Sequence, residues 1–168
     1  MKKISLLAVA ISLALAGCYQ SKLLLLDLDQ AAHPFTDGTW VGDDEDKTTI
    51  TLEARGKAYL MTEGSSKNDV VLAALPGHEN TYMAAQADEG CAEHAADCEW
   101  EYAVVVADGD KFSELAPNCE QDWPSISADV SGRNEGKDTC WFDNPERLQH
   151  ALAWVADNRK AALNYSKQ

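Results

Sequence analysis

Between residues 47 and 115 the sequence repeats one pattern, in which a short segment of apolar and polar residues is followed by a turn rich in glycine, proline or aspartate. Ile50 and Leu52 alternate with threonines at the start of the series, and Trp100, Tyr102 and Val104 fall on one face of a later segment. Alternation with a period of two is typical of strands with a buried face, and short turns join antiparallel neighbours. The pattern predicts an antiparallel meander of six or seven short strands, either an open sheet or a small barrel.

Near the C-terminus the period changes from two to that of a helix. Asn144 is a suitable N-cap and Pro145 a suitable first helical residue, while Leu148, Ala151, Leu152 and Val155 follow at i, i+3, i+4 and i+7. We therefore expect one C-terminal helix packed on the sheet, so that the predicted fold class is α+β.

The chain is long enough for one domain with a real core. Its 168 residues are 45% hydrophobic, within the range of ordinary globular proteins. We expect a single domain over residues 37–164, which divides into a β-rich part (37–116), a long loop (117–143) and the helix (144–164). The loop is expected because residues 117–143 lack periodicity and contain prolines and glycines.

The first residues have the order of an export signal. Two lysines, Lys2 and Lys3, precede an apolar run over residues 4–15, which ends in Leu-Ala-Gly followed by Cys18. This tetrapeptide resembles the lipobox of bacterial lipoproteins. The resemblance implies removal of residues 1–17 as a signal peptide and lipidation of Cys18, through which the protein would bind the membrane.

Two further features concern the region after the lipobox. Tyr19 stands where an aspartate favours inner-membrane retention in enterobacterial lipoproteins, so the resemblance implies the outer membrane, with the domain facing the periplasm. Residues 18–36 form a lead segment, whose part from Ser21 to Gln30 is too apolar for a free linker. It lies either against the body as a strand or near the lipid as an amphipathic element, and the sequence leaves both open.

Four cysteines remain after Cys18, namely Cys91, Cys98, Cys119 and Cys140. An even number in an exported chain predicts two disulfides, for which three connectivities exist. Pairing of sequence neighbours favours Cys91–Cys98 and Cys119–Cys140. The alternative is a zinc site, because Cys91, His94 and Cys98 have the spacing of metal ligands.

Acidic residues outnumber basic ones by 28 to 14, and removal of residues 1–17 leaves 12 basic residues and a formal charge of −16. A surface of this sign disfavours nucleic acid as a partner. Residues 68–110 contain ten acids and no lysine or arginine. This region either binds a basic protein partner or is only a solvated surface. The residues expected to bind that partner are Glu93, Asp97, Glu99 and Glu101.

Known catalytic motifs do not occur in the sequence, so we expect a binding protein and not an enzyme, with no cofactor and no catalytic residue. The first interpretation is a small acidic binding module for a protein partner. The alternative is an inhibitor or immunity protein that neutralises a cationic toxin or enzyme. Gly38-Thr39-Trp40 also resembles the Gly-x-Trp motif of lipocalins, which implies a barrel that carries a small apolar molecule.

Lipidation of Cys18 has a direct test. Cys18→Ser removes the thiol that the lipid would modify, and we expect the variant to leave the membrane fraction and to accumulate unprocessed or in soluble exported form. Fractionation and the mass of the mature N-terminus measure this. Unchanged membrane fractionation of the variant, with globomycin-insensitive processing of the wild type, would contradict the lipoprotein interpretation.

Overall fold

The computed structural model describes residues 18–93, 98–134 and 138–168. Within them it has eleven strands, two α-helices and a single turn of 3-10 helix at Leu28–Gln30. The elements, in chain order, are β1 (Tyr19–Ser21), β2 (Gly38–Gly42), β3 (Thr49–Arg55), β4 (Ala58–Glu63), β5 (Ser66–Ala74), β6 (Thr81–Asp88), β7 (Trp100–Asp108), β8 (Lys111–Leu115), α1 (Cys119–Ile126), β9 (Gly132–Asn134), β10 (Thr139–Trp141), α2 (Pro145–Asn158) and β11 (Leu163–Lys167).

Eight of the strands form a closed antiparallel barrel. Strands β2 to β8 pair in chain order, and β11 pairs with both β8 and β2, which closes the ring. The predicted α+β class and antiparallel meander are confirmed, and the open alternative between sheet and barrel is decided in favour of the barrel. The predicted count of six or seven strands is too low, because it left out short strands near both ends of the chain and two more within the predicted loop over residues 117–143.

The remaining three strands extend the sheet outside the barrel. β1 runs antiparallel to the first residues of β7 and parallel to β10, which in turn pairs with β9. β8 pairs only with Val104–Asp108 of β7. The first residues of β7 are therefore free on that edge, and β1 pairs with them. This three-strand extension connects the N-terminus to the residues that precede α2.

One hydrophobic cluster fills the barrel. Phe35 closes one end, where its ring lies 5.5 Å from that of Trp40 and 4.9 Å from that of Phe112, and its backbone N–H donates to the Tyr59 hydroxyl at 3.0 Å. Trp40 of the Gly-x-Trp motif is part of this cluster and is 1% exposed. The strand residues of the cluster are Trp40, Ile50, Leu52, Tyr59, Met61, Val70, Leu72, Ala84, Val105, Phe112 and Tyr165.

A second cluster lies on the outside of the barrel. The outer faces of β5, β6 and β7 pack against α1, α2 and the lead segment, so these strands are buried on both sides. The face predicted from Trp100, Tyr102 and Val104 belongs to this outer cluster, and all three side chains are completely buried. The apolar face of α2, from Leu148 to Val155, covers it as the spacing predicts.

The predicted helix over residues 144–164 is wrong at its C-terminal end. Asn144 caps the helix as expected by accepting from Arg147 N–H at 3.1 Å, but α2 ends at Asn158. Arg159 is extended, with φ −102° and ψ 150°, and its side chain binds α1. The chain then enters β11. There the backbone groups form hydrogen bonds with β2 and β8 instead of the helical hydrogen bonds that a longer α2 would have.

The predicted loop over residues 117–143 contains a helix and two strands. Asn118 caps α1 by accepting from Gln121 N–H at 2.9 Å, and Glu120 and Asp122 lie in the first turn, where acids are favourable. Pro124 lies inside α1. Proline removes one helical hydrogen bond and is unfavourable inside a helix, so the sequence around Pro124 did not predict α1.

The lead segment lies against the body, as the first of its two open alternatives states, but not as a strand, because only Ser21 of residues 21–30 belongs to β1. Tyr19 is completely buried, and Leu24, Leu25 and Leu28 pack against the outer cluster. Leu23 is the exception and is 65% exposed. Among the residues that the structure describes, neither helix is long and apolar enough to cross a membrane.

Both predicted disulfides are present, Cys91–Cys98 and Cys119–Cys140. Their sulfurs are therefore not available as thiolate ligands, and the zinc alternative at Cys91, His94 and Cys98 is wrong. His94 itself lies outside the described residues. Within the described residues no group of three metal-ligating side chains is suitably placed for an ion.

A buried carboxylate joins β1, α1 and α2. Asp122 is completely buried and accepts from the Tyr19 hydroxyl at 2.9 Å, from Asn118 N–H at 2.8 Å and from Arg159 Nε at 2.9 Å, with a second bond from Arg159 Nη2. Burial and the adjacent Asp122 raise the pKa of Tyr19. The bonds satisfy both carboxylate oxygens, as a buried charge requires.

We expect Asp122→Ala to destabilise the protein by about 3–5 kcal/mol, because it leaves the Arg159 guanidinium and the Tyr19 hydroxyl without their buried acceptor. Urea unfolding followed by tryptophan fluorescence measures the change. Glu120→Ala, an exposed acid two residues away on the same helix, is the matched control and should cost less than about 1 kcal/mol. Equal losses for the two variants would contradict the structural role of Asp122.

Candidate functional site

The two ends of the barrel differ in what covers them. Barrel strands alternate in direction, so the β2–β3, β4–β5 and β6–β7 connections share one end with the start of β11, and the other end is the one that Phe35 fills. We call the end opposite Phe35 the open end. Its loops and strand ends contain a large share of the acids of the chain.

An open pocket lies at the rim of the open end, between the last residues of β6 and the first residues of β7. Its volume is about 510 Å³, and three acids line it, Asp88, Glu99 and Glu101. Asn68, Gln86, Ala87 and the disulfide Cys91–Cys98 also line it. We call this site the rim pocket. It lies here because Gln86 pairs with Glu101, after which the two strands separate.

The structure brings together part of the site that the sequence predicted. Glu99 and Glu101 line the rim pocket, whereas Glu93 is exposed and does not. Asp97 lies outside the described residues. Sequence reasoning missed Asn68 and Gln86, although strand alternation places Gln86 on the same face as the inward-pointing Ala84.

The rim pocket is electrostatically uncompensated. No lysine or arginine of the described residues lines it, and no ion pair there involves Asp88, Glu99 or Glu101. Burial raises the pKa of Glu101, and the adjacent Glu99 and Asp88 raise it further, while a hydrogen bond from Gln20 Nε2 at 3.1 Å acts in the opposite direction. A cation in this pocket would relieve the mutual repulsion.

Behind the rim pocket lies a small cavity inside the barrel. Its volume is about 50 Å³ and its wall is almost entirely apolar, although Gln86, Glu114 and two tyrosines, Tyr59 and Tyr165, are among the residues around it. Gln86 is among the lining residues of both the rim pocket and this cavity, so the two spaces are adjacent. The apolar lining includes Phe35, Leu72 and Val105.

The carboxyl group of Glu114 is the most perturbed acid of the structure. Glu114 is 6% exposed, and burial raises its pKa from 4.5 to about 7. Burial also raises the pKa of Tyr165, and the neighbouring charge of Glu114 adds to this effect.

The carboxyl of Glu114 gives a pH-dependent prediction. Folding raises its pKa, so the folded chain holds this proton more tightly, and the stability falls as the pH rises from about 4.5 through about 7. Glu114→Gln cannot ionise. We expect it to match the wild type at pH 4 and to exceed it at pH 8 by on the order of 3 kcal/mol in free energy of unfolding.

Urea unfolding at both pH values measures this difference. The matched control is Glu79→Gln, at an exposed acid near the closed end of the barrel, and we expect no pH-dependent gain from it. A Glu114→Gln variant whose advantage is the same at pH 4 and pH 8 would show that burial does not perturb this carboxyl.

Comparisons of this chain with protein-family models, with curated proteins and with solved structures found no significant match. Its function is therefore inferred from the rim pocket, the barrel cavity and their charges.

Proposed function

We propose that this chain is an exported, lipid-anchored binding protein that holds a basic protein partner at its rim pocket. The observation that carries the proposal is the group of three carboxylates, Asp88, Glu99 and Glu101, around one open pocket without an ion-pair partner among the described residues. A basic partner would supply the positive charges that are missing around these three carboxylates. Clustered charge of one sign also accelerates the encounter with such a partner.

The rigidity of the rim pocket supports binding. Glu101 belongs to a strand that pairs with β6 on one side and with β1 on the other, and the Cys91–Cys98 disulfide constrains the connection beside it. Groups that are already ordered lose less conformational entropy when they bind. A flexible acidic loop would lack this advantage.

The anchor would hold the body close to a membrane. Under the lipoprotein interpretation Cys18 carries the lipid, the bilayer is the outer membrane and the domain faces the periplasm. Cys18 lies directly before β1, its carbonyl accepts from Cys140 N–H, and Tyr19 is completely buried. The acyl chains would therefore start at the surface of the folded body, with no flexible linker between them.

An inhibitor or immunity protein is a narrower form of the same proposal, in which the basic partner is a toxin or enzyme. The carrier of a small apolar molecule is a second candidate, and the closed barrel favours it. Its cavity of about 50 Å³ is small for that task, since an engineered cavity that binds benzene has a volume of about 150 Å³. The rim pocket thus has the stronger support.

Neutralising two acids of the rim pocket tests the proposal. We expect the double variant Asp88→Asn/Glu99→Gln to bind its basic partner roughly five- to thirtyfold more weakly, because each exposed carboxylate contributes about 0.5–1 kcal/mol to an ion pair. The experiment captures proteins from periplasmic extract on immobilised full-length protein and compares them by quantitative mass spectrometry. Added salt should reproduce the loss for the wild type.

The matched control is Glu79→Gln/Asp110→Asn, which removes the same charge from exposed acids at the closed end of the barrel. It should retain the partner that the rim variant loses. If the wild type, rim variant and control capture the same basic proteins with the same salt dependence, the rim pocket is only a solvated surface and the proposal is wrong.

A further inference from the structure

One leucine of the lead segment differs from its neighbours in where it lies. Leu24, Leu25 and Leu28 pack against the outer cluster and Leu26 is 7% exposed, whereas Leu23 is 65% exposed. Among the described residues Leu23 is the only large apolar side chain that lies mostly in solvent. A single exposed leucine is common on protein surfaces, so its surroundings decide whether it has a function.

Hydrogen bonds hold Leu23 in this exposed position. Its carbonyl oxygen accepts from the Tyr102 hydroxyl at 3.1 Å and from the Ser21 hydroxyl. The same Tyr102 oxygen accepts from Leu25 N–H at 3.0 Å. Because Tyr102 is completely buried, these bonds fix the segment to the folded body. The exposure of Leu23 is therefore a feature of the fold and not the result of a loose chain end.

Leu23 borders an open pocket beside the three-strand extension. The volume of this pocket is about 410 Å³, and Leu25 and Trp141 of β10 line it together with Leu23. Trp141 is partly exposed. The pocket has no lining residue in common with the rim pocket. It is a second surface depression, and its character is more apolar.

The charged residues that line this pocket are mainly basic. Lys22 and Arg133 line it together with one acid, Asp143. The Asp143 carboxylate accepts from the Ser131 hydroxyl, so this acid already has a partner in the protein. Neither Lys22 nor Arg133 has an ion pair within the described part of the chain. Positive charge therefore prevails here, in a chain with 28 acidic and 14 basic residues.

The expected anchor residue is close to this pocket. Cys18 is five residues before Leu23, so their Cα atoms are at most about 18 Å apart. The Cys18 carbonyl accepts from Cys140 N–H, and the Gln20 carbonyl accepts from Phe142 N–H at 2.9 Å. β1 and β10 thus hold Cys18 and the pocket in one fixed spatial relation.

We propose that the surface formed by Lys22, Leu23, Arg133 and Trp141, the anchor surface, lies on the phospholipid layer that holds the lipid of Cys18. Leu23 and Trp141 contact the boundary between headgroups and acyl chains, where such side chains are favourable. Lys22 and Arg133 are attracted by the lipid phosphates. A soluble anion would leave Leu23 exposed, and an apolar ligand would not use the two basic residues.

The inference rests on the lipid anchor of the proposed function and is independent of the rim pocket. Several acyl chains attach a protein to a bilayer by themselves, so the anchor surface adds orientation. Contact at this surface stops the body from turning freely about Cys18. It does not use the acids of the rim pocket, because the two pockets share no lining residue.

The test places the full-length protein, processed by its host, in vesicles of phosphatidylethanolamine and phosphatidylglycerol. The vesicles contain a phospholipid with a nitroxide near its headgroup, which quenches nearby tryptophan fluorescence. We expect quenching in the wild type, and Trp141→Phe should remove most of it. Trp154→Phe, at another partly exposed tryptophan, is the matched control and should keep it. Absence of quenching from Trp141 in protein that floats with the vesicles would overturn the inference.

A second variant weakens the contact and keeps the reporter. Lys22→Gln/Leu23→Ser removes one charge and the exposed apolar side chain, so we expect the quenching of Trp141 to fall by roughly twofold or more. Lys160→Gln/Ala161→Ser, at exposed residues after α2, is the matched control and should resemble the wild type. Equal quenching in these two variants would show that the surface does not touch the bilayer. Near-UV circular dichroism shows that each variant is folded.

Two measurements separate this inference from the proposed function. Flotation with the vesicles reports the lipid anchor, and capture of basic proteins reports the rim pocket. Flotation without quenching of Trp141 contradicts only the anchor surface. Loss of flotation contradicts the lipid anchor and this inference with it, whatever the rim pocket binds.

Discussion

The structure depends on the last strand of the chain, because β11 alone joins β8 to β2 and so closes the barrel. Without it these two strands would have open edges, whose unpaired backbone groups favour association with other chains. β11 also contributes Tyr165, whose ring lies 4.6 Å from that of Phe112 in the interior cluster. Closure therefore determines that this protein has an enclosed cavity and a rim, and not an open sheet.

Burial on both faces of β5 to β7 explains where polar chemistry remains. The inner faces fill the barrel and the outer faces are covered by the two helices and the lead segment. The Asp122 bonds to Tyr19 and Arg159 hold this cover together, and the Cys119–Cys140 disulfide ties α1 to β10. Polar side chains of these strands are left mainly at their ends, which is where the rim pocket lies.

Net charge by itself does not identify the acids that bind a partner, because many acids of this chain are structural. Asp43 accepts from Asn164 N–H at 3.1 Å and from Asn164 Nδ2 at 2.8 Å, and Asp44 accepts from Thr48 N–H at 2.9 Å. These bonds lower the pKa of both carboxyls and hold the β2–β3 turn against β11. The acids of the rim pocket differ from them because Asp88, Glu99 and Glu101 line an open pocket and do not hold a turn in place.

Much of the fold follows from sequence, because the strands β3 to β8, the cap of α2 at Asn144 and both disulfides have local signals. Alternation, capping chemistry and the pairing of neighbouring cysteines act over short separations in the chain. Glu99 and Glu101 were predicted as binding residues from local charge density, which is also a short-range property.

Tertiary structure decided the rest. β11 is five residues long and begins only four residues after α2 ends, so only its partners β2 and β8 make it a strand. The same limit applies to the site. Glu114 is an ordinary acid in the sequence, and it becomes a buried carboxyl with a raised pKa only because barrel closure turns its side chain toward an apolar interior. Local pattern determines which residues form strands, but burial depends on what lies across the closed barrel.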